Sequence, residues 1–272
     1  MRLAPPVTLT PSKLGRFASC PLAFRFAYVD GLEEPPTPAQ VRGTLVHRSL
    51  QRFFGDVPAP ARSPARLAAA LAAASEEPEA RGALDELGLD ATARARLLRE
   101  AGELLERYLE LEDPTTVHPI GLELDLRVEV DGVVLRGIID RLDLAADGGL
   151  VVVDYKTGRA PRPERSRSRL LGVLFYAYLC EQLLGRRPSE IRLLYLADQV
   201  VVAETPTAQS MRGLRQRALA AWAAIERACE AGDFRPRPSP LCRYCAFQER
   251  CPAQAAVSAG AGVEPRPLGA GR

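Results

Sequence analysis

Apolar and polar positions change their period along the chain. From residue 11 to about residue 112, apolar side chains recur three and four apart, the spacing of one helix face. Thr10-Pro11-Ser12 opens a first helix carrying Leu14, Phe17, Cys20 and Phe24, with proline in the first turn, where its missing N–H has no helical partner to lose. A Pro-rich link at 35–38 leads to a second helix over 39–54, with Val46, Leu50, Phe53 and Phe54 at helical spacing. Residues 56–64 form a Pro/Ala loop. Residues 64–112 are rich in Ala, Leu, Glu and Arg and read as a helical insert of two or three helices broken at Gly82 and Gly88.

The period then falls to two. Leu122–Val130, Val133–Leu144 and Leu150–Tyr155 read as strands, joined by turns at Asp131-Gly132 and Asp147-Gly148-Gly149. An apolar helix over 168–185, strands at Ile191–Leu196 and Val200–Glu204, and a helix over 207–231 follow. Strands interleaved with helices predict an α/β fold. We expect one domain over 1–251 and a disordered Ala/Gly/Pro-rich tail over 252–272.

Composition narrows the setting. No apolar run reaches the ~18 residues of a membrane span, and the N-terminus lacks the apolar stretch of a secretory signal. The expected location is cytoplasmic, where cysteines serve metal or redox chemistry more often than disulfides. Cys242, Cys245 and Cys251 form a C-x2-C-x5-C run, and Cys20 lies 222 residues upstream. Four thiolates of that kind can hold zinc or an iron–sulfur cluster. Cys180 and Cys229 sit in apolar helices and are assigned to the core.

The net charge of +2 announces no polyanionic partner. Yet Arg159, Arg162, Arg165, Arg167 and Arg169 crowd one loop able to track phosphates, although a solvated surface loop has the same composition. Of 36 basic residues only Lys13 and Lys156 are lysines, and Lys156 falls in V-V-V-D-Y-K-T-G. Lysine is a compact charge with a movable pKa and differs from arginine at a reaction centre. No G-x4-G-K-[ST] phosphate loop is present, which argues against an ATP-driven motor.

In a strand Asp154 and Lys156 share a face and Tyr155 points away. Asp140 ends L-R-G-I-I-D on the neighbouring strand, so the hairpin can set two carboxylates side by side. A divalent cation relieves their repulsion and suits a phosphate substrate, with Lys156 orienting or deprotonating the attacking water. A salt bridge at a strand end would leave the same D-x-K pattern. His47 borders the apolar stripe of its helix, beside Leu50 and Phe54, where a lone histidine is more often a core residue and becomes a ligand candidate only in the company of other site residues. His118 lies in a loop before proline, and Glu123 in the first strand reads as a surface residue, with an extra acidic contributor to the site as the alternative.

Taken in order, G-T-L-V-H at 43–47, G-I-I-D-R at 137–141 and D-Y-K-T-G at 154–158 resemble the PD-(D/E)XK nucleases of the RecB type. The cysteine pattern is similar to that of the iron–sulfur branch, which includes the AddB nuclease domain. The resemblance implies a restriction-endonuclease-like core, a mixed sheet flanked by helices, clamped by a [4Fe–4S] cluster on Cys20, Cys242, Cys245 and Cys251. It also implies Mg²⁺ or Mn²⁺ bound by His47, Asp140, Asp154 and the Tyr155 carbonyl, with Lys156 catalytic. The family often carries Gln four residues before a tyrosine on the following helix. Tyr176 fits that tyrosine as a DNA contact, but Gly172 holds the Gln position. The implied activity is hydrolysis of DNA, preferably single-stranded, by an exonuclease or endonuclease of repair or recombination; a nuclease active only with a helicase or other repair subunit as partner is a further reading. The rival is a non-cutting nucleic-acid-binding or adaptor subunit on the same fold.

Overall fold

The computed structural model describes residues 3–160 and 166–253, the side chains of 166–171 excepted. Its helices are α1 (Pro11–Ser19), α2 (Pro21–Tyr28), α3 (Pro38–Asp56), α4 (Pro64–Ser75), α5 (Pro78–Glu86), α6 (Ala91–Tyr108), α7 (Ser166–Leu184) and α8 (Ala208–Ala231). Its strands are β1 (Pro119–Val130), β2 (Val133–Leu144), β3 (Leu150–Lys156), β4 (Glu190–Tyr195) and β5 (Val200–Glu204). Among the described residues the chain divides into two compact units, one of residues 3–6, 12–35 and 221–253, the other of 7–11 and 36–220. The expected tail at 252–272 lies outside the described residues from 254 on. Among the described residues no helix is long and apolar enough to cross a membrane.

The larger unit is built on a mixed sheet of order β1-β2-β3-β4-β5. Asp131 and Gly132 take φ of +50° and +78°, the left-handed pair that a tight hairpin turn requires. β1 and β2 therefore pair outward from Val130 opposite Val133. β3 runs antiparallel to β2 and parallel to β4, and the parallel step needs the long crossover that α7 provides. Every residue of β3 but Lys156 is buried, as a central strand covered on both faces requires.

β2 and β3 pair only over Arg141–Leu144 with Leu150–Val153. Beyond that seam β2 continues beside β1 and β3 beside β4. The sheet thus forks, and Asp140 and Asp154 stand just past the last joined pair.

α3 starts at a complete capping box between Thr37 and Gln40. Its Val46, Leu50, Phe53 and Phe54 pack with α4, α6 and the β3 residues Val151, Val153 and Tyr155. Each such side chain contributes roughly 1.5–3 kcal/mol on full burial. Val41 and Leu45 meet Leu84 of α5 and Leu97 of α6. The insert is three helices. Gly88, at φ +60°, follows the end of α5, whereas Gly82 lies inside it and the break before it comes at Pro78.

In the smaller unit the expected first helix is two. Pro21 excludes helical backbone at the residue before it, and Cys20 is extended at φ −156°, ψ 106°. The break leaves Cys20 half-exposed between α1 and α2. Phe26 and Phe247 meet edge to face at 5.5 Å, joining α2 to the C-terminal segment.

Candidate active site

The β1–β2 register pairs Leu122 with Arg141 and Leu124 with Ile139, which sets Glu123 beside Asp140. Glu123 has φ +46°, a left-handed strand residue that costs of order 1–3 kcal/mol and persists where its surroundings fix it. α3 brings His47 to the same place. Gly43, one turn earlier, lets α3 approach the end of β3, since a Cβ there would lie 3.2 Å from Thr157 Oγ1.

His47 Nδ1 lies 3.3 Å from Asp140 Oδ1. The other oxygen, Asp140 Oδ2, accepts the Tyr155 N–H at 2.7 Å. Donor atoms of His47, Glu123 and Asp140 all fall within 4.8 Å of one another. A six-coordinate divalent cation with bonds of about 2.1 Å sets opposite ligands about 4.2 Å apart, so the three can share one ion. Asp154, buried to 4% exposure, forms an ion pair with Lys156.

The electrostatics of the site are set by burial and by the charges gathered there. Burial pulls the His47 imidazole down, but Asp140, helped by Asp154 and Glu123, outweighs it and leaves the pKa raised. Glu123 is raised by burial and by Asp140. Asp154 is pushed up to about 6, chiefly by burial, with Lys156 opposing and Asp140 reinforcing. Burial lowers Lys156, but Asp154 more than restores it, so the side chain is held as an ammonium.

Tyr176 of α7 stands in the field of Asp154, Asp140 and Glu123, and burial with these charges raises its pKa. Its ring packs on β2 because residue 137 is glycine: a Cβ there would come within 2.9 Å of two Tyr176 ring carbons and of Leu179 Cδ1. Gly172, in the usual Gln position, faces Pro11 at ordinary contact distance. Tyr195, paired with Lys156 across the parallel ladder, is fully buried, and its hydroxyl has no hydrogen-bond partner among the described residues.

Of the expected site, the fold brings together His47, Asp140, Asp154, Tyr155 and Lys156, with Tyr176 near them. Glu123, read from the sequence as a surface residue or an extra acidic contributor, stands in the second of these places, beside His47 and Asp140. A groove of about 610 Å³ along α3 is lined by Gln40, Thr44, His47, Gln51, Glu123 and Thr157. Arg159 is exposed and shares a smaller cleft with Arg42, Glu100 and Asp198. Arg162 and Arg165 lie outside the described residues, as do the side chains of Arg167 and Arg169.

Cys20, Cys242, Cys245 and Cys251 all belong to the smaller unit, and all are free and half-exposed. Cys20 Sγ accepts the Arg237 N–H at 3.4 Å, and Cys242 Sγ accepts the Ser239 N–H at 3.3 Å. Cys180 and Cys229 are buried, as core residues.

The profile of the PD-(D/E)XK nuclease superfamily matches residues 8–252. The Gene 69 protein of Mycobacterium phage L5 is 31% identical over 134 residues, 48% of this chain and 44% of that protein. Its counterpart in Mycobacterium phage D29 is 29% identical over 134 residues, 48% of this chain and 47% of that protein. The matched regions thus span about half of each curated relative's length. Among solved structures, that of a candidate exonuclease from Eubacterium rectale superposes with a TM-score of 0.56 at 11% identity, covering 97% of this chain and 91% of that one. At that identity the likeness concerns the fold.

Proposed function

Since the chain belongs to the PD-(D/E)XK nuclease superfamily, we propose that it is a divalent-metal-dependent deoxyribonuclease of the RecB type. We assign it exonuclease action on single-stranded DNA in repair or recombination. The observation that carries the reading is the meeting of His47, Glu123 and Asp140 within 4.8 Å, beside the buried Asp154–Lys156 pair. A binding module has no use for that set. Exonuclease action and strand preference follow the RecB-type motifs, and the name borne by the Eubacterium rectale fold neighbour agrees with the former.

His47, Glu123 and Asp140 would hold Mg²⁺ or Mn²⁺, with Asp154 and the Tyr155 carbonyl available to complete the shell. An imidazole ligand tilts the choice toward Mn²⁺. When bound, the cation neutralises phosphate oxygens and lowers the pKa of a water. Asp140 can serve because the Tyr155 N–H fixes its Oδ2 and leaves Oδ1 turned to His47. Lys156, kept charged by Asp154, donates toward the attacking water or the phosphate and orients it. The α3 groove, with its amides and hydroxyls, offers the neighbouring nucleotides polar contacts.

We further propose that Cys20, Cys242, Cys245 and Cys251 hold a [4Fe–4S] cluster. N–H donors already point at two of the sulfurs, the kind of contact that tunes cluster thiolates.

The test is anaerobic purification and cleavage of end-labelled single- and double-stranded DNA with Mg²⁺, Mn²⁺ or EDTA. Lys156→Ala should lower cleavage about 10²–10⁴-fold while the protein stays folded. Wild-type cleavage in EDTA, or an undiminished rate in the variant, would sink the assignment.

A further inference from the structure

Behind the fork lies a charge network that no step above uses. Arg141 follows Asp140 in the chain, and its side chain is wholly buried. It donates to both oxygens of Glu112, at 2.5 and 3.0 Å, and to Asp143 Oδ2 at 3.0 Å. It also donates to the Tyr155 hydroxyl at 2.7 Å. Tyr108, on the last turn of α6, donates to Glu112 at 2.6 Å. The guanidinium stacks over the rings of Phe54 at 4.7 Å and Tyr155 at 5.6 Å. Its carboxylate partners, Glu112 first among the charged ones, hold the pKa well above the usual arginine value despite burial.

The placement gives this network a task. The β2–β3 ladder ends at Arg141 opposite Val153. Two contacts join the strands just past that end. One is the Tyr155 N–H to Asp140 Oδ2, where a side-chain carboxylate takes the place of a ladder carbonyl. The other is Arg141 to the Tyr155 hydroxyl. Asp140 thus depends on where the Tyr155 backbone sits, and Tyr155 is held at its far end by Arg141. The Tyr155 ring also meets the His47 ring edge to face at 5.9 Å.

We infer that Arg141, Glu112 and the Tyr155 hydroxyl form a latch that fixes the Tyr155 backbone across the fork and so sets the spacing of the His47–Glu123–Asp140 cation site. They are positioning residues: none is placed to touch the cation or the phosphate with its side chain. Glu112, in the turn after α6, ties the helical insert to that geometry. The inference rests on the metal-site reading of the preceding section, but not on the reaction.

The test reads Mn²⁺ binding by electron paramagnetic resonance, without DNA, next to cleavage as a function of Mn²⁺. Tyr155→Phe deletes one hydroxyl and keeps the backbone and ring. Glu112→Gln keeps the shape and weakens the pull on Arg141. Each should raise the Mn²⁺ needed for half-occupancy about 10-fold, within the 10–100-fold that outer partners of metal ligands command. For Glu112→Gln, which keeps every residue of the cation site, the cleavage rate at saturating Mn²⁺ should stay within about threefold of wild type. A merely structural role would lower the melting temperature and leave Mn²⁺ affinity unchanged in the folded fraction, and that result in both variants would overturn the latch. Wild-type protein that binds Mn²⁺ but never cuts DNA would refute the nuclease and leave the latch standing. Wild-type Mn²⁺ binding that survives Asp140→Ala would refute the site and the latch together.

Discussion

The two units of this protein solve the problem of holding functional side chains in opposite ways. Around the fork, charged groups are buried and hold one another: Arg141 and Asp154 are nearly sealed from solvent, and each has an opposite charge in contact. In the cysteine-bearing unit the chemistry lies near the surface. α1 and the turns Pro240–Tyr244 and Gln248–Arg250 bury no residue, and the four thiols are half-exposed. A sheet with a core can position a site by packing. The buried residues of the smaller unit, Phe24, Trp222, Ile225 and Phe247 among them, lie outside those turns.

The comparison breaks most visibly at the thiols. Cys20→Ala should lose iron and strip amide-exchange protection from residues 12–35 and from the segment after 221. This rests on the cluster proposed above, whose binding would contribute directly to folding of that unit. Protection in β2 and β3 should persist; equal collapse of both would show that the larger unit does not stand on its own core. A smaller effect belongs to Gly137→Ala. The added methyl would sit 2.9 Å from the Tyr176 ring and Leu179, and overpacking of this kind costs about 1–3 kcal/mol, read as a fall in the denaturant midpoint. An unchanged midpoint would mean that α7 rides loosely on the sheet.

The smallest effect is a surface control. Arg136, then Arg127, hold Asp125 down to about 2. A carboxylate lowered in the fold contributes stability that is present above its ordinary value of about 3.9 and lost as pH falls through about 2. Asp125 is exposed, so solvent screening reduces the contribution to at most about 0.5 kcal/mol. Asp125→Asn should therefore flatten the pH-dependence of stability slightly between about pH 4 and pH 2, as followed by urea unfolding.

Much of this was legible in the sequence because period and turn chemistry are local. β2 and β5 run over the residues the alternation indicated, and the Asp-Gly turn fixed the hairpin. Glu123 was not legible from alternation: Leu122, Leu124, Leu126 and Val128 place it with Asp125 and Arg127 on the polar face. Only counting outward from Val130 opposite Val133 sets it across from Asp140, and the left-handed backbone at 123 departs from regular alternation. Arg141 escaped notice for another reason. Its worth lies in Glu112 and Tyr155, partners 29 and 14 residues away, and no local pattern encodes them.

The short seam between β2 and β3 acts as a self-checking address. Four residue pairs fix which side chain stands where at the fork. A slip of one residue would turn Asp140 toward the apolar face and Arg141 toward the cation site. A carboxylate would then stand before Glu112, and a guanidinium would occupy the place of the metal. The misaligned pairing is thus refused by charge as well as by hydrophobicity. An extra residue in the turn at 145–149 can be absorbed at the surface, whereas the same insertion inside the seam would misaddress every ligand at once.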